Sequence, residues 1–122
     1  MKYILLVHHN EETFNQRSQA ERQGLLQESV ALANELHREG QYLSAAPLHP
    51  SDQTRCVKVR EGKALVTDGP FAETREQLGG YFLVEAAGIE EAIEIAARIP
   101  GARIGTVEVR EVTEVEGLPG TS

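Results

Sequence analysis

The chain has 122 residues, 40% hydrophobic and 25% charged, enough for one domain that buries roughly two-thirds of the surface its unfolded form exposes. Nineteen Asp and Glu against twelve Lys and Arg give a net charge of -7 and no evident basic face, which argues against direct nucleic-acid binding and against anionic membranes. No apolar run nears the ~20 residues of a membrane span, no cleavage site follows the N-terminus, and the lone Cys56 cannot form an intrachain disulfide, so a cytoplasmic protein is expected.

Tyr3-Ile4-Leu5-Leu6-Val7-His8 is apolar at consecutive positions and predicts a strand covered on both faces. Residues 13–39 follow, with Leu25, Leu26, Val30, Ala33 and Leu36 at helical spacing and Gly40 suited to the C′ position. The earlier part, residues 10–22, has few apolar residues and reads as a loop with a frayed turn. Tyr42-Leu43-Ser44-Ala45-Ala46 is a short strand ending at Pro47. Residues 54–60 alternate, with Arg55, Val57 and Val59 on one side and Cys56, Lys58 and Arg60 on the other. Glu61-Gly62-Lys63 turns the chain into a hairpin that returns through residues 64–67.

Residues 80–86 are again apolar on both sides: Tyr81 and Leu83 on one, Phe82, Val84 and Ala86 on the other. A second helix over residues 89–99 has Ile89, Ala92, Ile93 and Ala96 as its expected buried stripe and Pro100-Gly101 as its stop. Residues 106–112 alternate like a half-exposed strand. Residues 1–115 form a single domain in this reading, and 116–122 a disordered tail.

This order predicts an α+β fold, the ferredoxin-like βαββαβ arrangement with an inserted β-hairpin. Its two central strands should be the two that are apolar on both sides. Helices cover only one side of such a sheet. Each large apolar side chain left wet on the other would forgo about 1.5–3 kcal/mol, so a sheet-to-sheet homodimer is expected.

Between the hairpin and the last apolar strand runs Asp68-Gly69-Pro70-Phe71-Ala72-Glu73-Thr74-Arg75. In a structural role, Asp68 accepts local hydrogen bonds, Gly69 and Pro70 set a turn, and Phe71 plugs into the core. In a functional role, Asp68, Glu73, Thr74 and Arg75 rim a cleft at a strand end. His8 is a candidate acid or base with Asp68 or Glu108 as partner. Asp68 is the second catalytic candidate, and Arg75 a candidate anion anchor. Tyr81 packs its ring in a barrel with its hydroxyl reaching polar neighbours. His8, Asp68, Arg75 and Tyr81 are thus the expected ligand-binding set.

His8 and His9 point to opposite faces, and His37 and His49 have no ligand spacing, so no metal site and no cofactor is expected. Gly79-Gly80 precedes a strand, which is not the context of a phosphate loop.

Residues 67–84, with Met1-Lys2-Tyr3-Ile4-Leu5-Leu6-Val7 and Gly105-Thr106-Val107-Glu108-Val109-Arg110, resemble the DGPF-motif branch of the YCII-related proteins. The resemblance implies a dimeric α/β barrel. It also implies, from the better-discussed branch, a His in the first helix and an Asp near the end of the second. Arg22-Gln23-Gly24-Leu25-Leu26 and Ala97-Arg98-Ile99-Pro100 hold neither, so no catalytic dyad carries over. Whether the protein is an enzyme stays open. A small-molecule ligand is one reading. A regulatory module of a sigma-factor system, which the resemblance also suggests, is the other.

Overall fold

Consecutive apolar residues put two strands in the middle of a sheet, and the computed structural model, which describes residues 1–120, has them there. In chain order the elements are β1 (Lys2–His9), α1 (Glu11–Asn15), α2 (Gln19–Arg38), β2 (Tyr42–Pro47), β3 (Arg55–Arg60), β4 (Lys63–Asp68), β5 (Gln77–Glu85), α3 (Ile89–Arg98), α4 (Gly101–Ile104) and β6 (Thr106–Glu111). A 3-10 turn, Ser51–Gln53, precedes β3. The main sheet is antiparallel with order β2-β5-β1-β6. That is the ferredoxin-like α+β order, and β3–β4 is the inserted hairpin.

The core lies on one side of this sheet. Tyr3 and Leu5 of β1 and Phe82 and Val84 of β5 meet Leu32 and Leu36 of α2 and Ala92, Ile95, Ala96 and Ile99 around α3. Each such burial contributes about 1.5–3 kcal/mol, which makes this cluster the main source of stability. On the opposite side Ile4, Leu6, Tyr81 and Leu83 are half-buried.

Local chemistry sets the helix ends. Ser18 accepts from the Glu21 N–H at 3.1 Å and starts α2. At its far end Gly40 takes φ 74, while the N–H groups of Gly40 and Gln41 return to His37 and Leu36. Residues 10–22, expected as a loop with a frayed turn, instead hold the short α1 and the first turn of α2; Asn10 caps α1, its Oδ1 accepting from the Thr13 N–H at 2.8 Å. Glu61 and Gly62 both have positive φ, the two-residue type I′ turn that matches strand twist.

Three packing expectations fail. The buried stripe of α3 is Ala92, Ile95 and Ala96, and Ile89 and Ile93 are exposed. Both sets have helical spacing and share the two alanines, so only the packing of Ile95 against the sheet distinguishes them. In α2, Leu26 and Val30 are exposed and Leu32 takes the core position. Phe71 is 89% exposed and does not enter the core. Its turn follows the base of the hairpin, closed there by Gly69 N–H to Thr54 O at 2.7 Å. Within the expected tail, Gly117 takes φ 94 and the Leu118 N–H returns to Val115 O at 3.4 Å, and residues 121–122 lie outside the described residues.

Candidate functional site

Leu32 and Leu36 lie in the C-terminal half of α2 and are its only buried residues. The N-terminal half stands off the sheet. Between them is a cavity of ≈ 580 Å³, within the range that holds a small ligand. Its roof is Leu25, Leu26 and Val30, its floor Val7, Ala45 and Phe82, and its end wall Ile99, Pro100 and Ile104. Small residues make the room. Ala45 and Ala46 of β2 pair with Phe82 and Tyr81 of β5, Gly80 pairs with the next residue, Pro47, and neither the alanines nor Gly79-Gly80 put a large side chain into the space.

Besides Tyr42 and Tyr81, five polar side chains interrupt this apolar lining: His9, Arg22, Ser29, Asn34 and His37. His9 closes β1 on the cavity side, its ring tilted 38° against Phe14 with centroids 4.5 Å apart. A Cβ on Gly79 would sit 2.4 Å from His9 Cε1, so the glycine is what lets the imidazole lie across β5. Arg22, in the first turns of α2, donates from Nη1 to the Asn15 carbonyl at 3.1 Å, using one of its five N–H groups. Arg103 of α4 donates to both carboxylate oxygens of Glu28 of α2 from Nη1 and Nη2, at 2.9 and 2.6 Å, and ties the middle of the roof down. That hydrogen bonding holds the Glu28 carboxyl below its ordinary range and raises the Arg103 guanidinium.

Burial pushes the His9 pKa down from its ordinary 6.5, and the nearby charges of Glu11 and Glu76 oppose this only in part. The folded protein therefore favours a neutral imidazole, able to accept a proton or a hydrogen bond. The sign of the linkage follows. His9 contributes stability that is fully present above its unfolded value and is lost as pH falls toward the folded one. Melting curves across about pH 5–8 should show the wild type losing stability on the acid side more than His9→Gln. Parallel curves would remove His9 as the cause.

Of the four sequence-derived candidates Tyr81 is among the residues along the cavity, His8, Asp68 and Arg75 are not, and no hydrogen bond or ion pair joins any two of the four. His8 is on the opposite side of β1, its Nε2 2.8 Å from Glu108 Oε1, so Glu108 is the partner it meets. Tyr81 shares a hydrogen bond with Ser44, Oη to Oγ 2.9 Å. Asp68, 83% exposed, pairs with Arg55 at 3.1 Å across the base of the hairpin. Arg75 is exposed, and its carbonyl accepts from Asn10 Nδ2 at 2.9 Å. Sequence reasoning passed over His9 and Arg22. The one available signal was the alternation of β1, which separates His9 from His8.

Among the described residues no group of three or more His, Cys, Asp and Glu is placed to hold a metal ion, and no helix is long and apolar enough to cross a membrane. A family model, the YCII-related domain, matches residues 1–116. An uncharacterized protein of Rhizobium meliloti (strain 1021) is 30% identical over 112 residues, covering 90% of both chains.

Proposed function

From the premise that this chain belongs to the YCII-related domain family, we propose that it binds a small organic molecule in the chamber between α2 and the sheet. The single observation that carries this is a mostly apolar cavity of ≈ 580 Å³ with a neutral-leaning histidine at one wall. The ligand has an apolar body, which Leu25, Val30 and Phe82 surround, and one polar group, which His9 and Arg22 meet. An aromatic or short aliphatic carboxylic acid has that shape, since a guanidinium pairs with a carboxylate through a planar fork. A neutral His9 beside such a ligand can donate its one ring N–H to the carboxylate or accept from a hydroxyl the ligand carries.

The reading includes a homodimer in which the two outer sheet faces cover Ile4, Leu6 and Leu83. In that assembly His8 with Glu108, and Tyr81 with Ser44, line the joint, while Asp68 and Arg75 stand near its rim.

Thermal shift with a panel of small aromatic and aliphatic acids tests the chamber. A member present at 100 times its Kd should stabilise the fold by about 2.7 kcal/mol. Ala33→Phe, placed in the cavity wall, should abolish that shift while leaving the ligand-free protein folded. Ser29→Phe repeats the test from the neighbouring turn. If no acid shifts the transition, or both filled variants bind as well as the wild type, the chamber is not the site and the regulatory reading takes its place.

A further inference from the structure

The β3–β4 hairpin carries three valines, Val57 and Val59 on β3 and Val66 on β4. Val57 pairs with Val66 and Val59 with Ala64, so all four side chains share one face. Val57, Val59 and Val66 are 63%, 61% and 58% exposed. Among the described residues, the hydrogen bonds and ion pairs of β3 and β4 stay within the hairpin and its closing turn. A lone two-stranded hairpin is marginal in water, and this one turns an apolar face to solvent with nothing of its own to cover it.

Charge identifies the occupant. Arg55, Lys58, Arg60 and Lys63 outnumber Glu61 and Asp68, so residues 55–68 hold +2. The whole chain is -7, which leaves -9 on the remaining residues. The arm and the body of one chain are thus of opposite sign, and two copies attract arm to body. Exposed Ile89 and Ile93 on α3, beside Glu90 and Glu94, give that body an apolar and acidic surface of matching chemistry.

We propose that the β3–β4 hairpin is an arm that docks by its valine face on a second copy of this chain. This goes beyond the chamber and does not require any ligand. It places a contact outside the sheet face invoked for the homodimer, so the two fail separately.

The test is the dimer dissociation constant from sedimentation equilibrium on the full chain. Val57→Thr/Val66→Thr keeps side-chain shape and strand preference and removes only the apolar surface. It should weaken the dimer at least about tenfold with an unchanged far-ultraviolet spectrum. Lys58→Glu/Lys63→Glu should weaken it too, and less so as salt is raised. Leu6→Glu tests the outer sheet face in parallel. If Leu6→Glu dissociates the dimer and neither arm variant does, the sheet contact stands and the arm proposal is overturned. A monomeric wild type overturns both.

Discussion

Gly105→Ala is expected to destabilise the protein by about 3 kcal/mol or more, one of the largest effects available to a single methyl group. A Cβ there would lie 2.0 Å from the His8 carbonyl oxygen and 3.0 Å from both the His8 carbonyl carbon and the His9 Cα. These are backbone atoms of a central strand and cannot swing aside as a side chain would. With φ -160 the glycine is merely extended, so the cost comes from crowding rather than from backbone conformation. Relief requires moving either the end of β1 or the segment that follows α4. Because β1 ends in His9, ligand-induced stabilisation should fall with it. Urea unfolding midpoints measure the effect. Gly24→Ala is the control: nothing lies within 4 Å of its Cβ position, and in a helix interior the exchange should stabilise by about 0.5–1 kcal/mol. Equal midpoints for wild type and Gly105→Ala would show that the two segments do not approach this closely.

Leu36→Ala is the second, with an expected loss of about 2–5 kcal/mol. Leu36 is fully buried and, with Leu32, fastens α2 to the core. Val30, six residues earlier in the same 20-residue helix, is 52% exposed, and Val30→Ala should cost about 1 kcal/mol or less. The contrast is the informative quantity, since both changes shorten an aliphatic side chain on one helix. Amide hydrogen exchange should reproduce it, with earlier exchange in the first half of α2 and protection there rising when a carboxylic acid fills the chamber. A flat protection profile along α2 would mean that both halves are equally fastened.

Much of the fold was legible because its signals are local. Consecutive apolar residues in β1 and β5 marked the sheet centre, alternation set the faces of β3, and Gly40 marked the end of α2. The α3 stripe was misread because Ala92 and Ala96 belong equally to the set with Ile89 and Ile93 and to the set with Ile95, and only the opposing sheet chooses. Phe71 was expected inside because a large aromatic after a turn usually is, and where the turn lies relative to the sheet is a tertiary fact. The chamber was invisible for a different reason. It is a deficit of volume shared by Gly79-Gly80 and Ala45-Ala46, and these meet only once the register of β2 against β5 is known. His8 drew attention over His9 since each ends the same strand, and nothing in the sequence says which side the cavity occupies.

The His8-His9 dipeptide closes β1 with one imidazole on each side of a single peptide layer. The pair therefore forms two separate spectroscopic probes at one address. In a nuclear magnetic resonance titration, a guest entering the chamber should move the His9 ring signals first, while a change at the opposite surface should move those of His8.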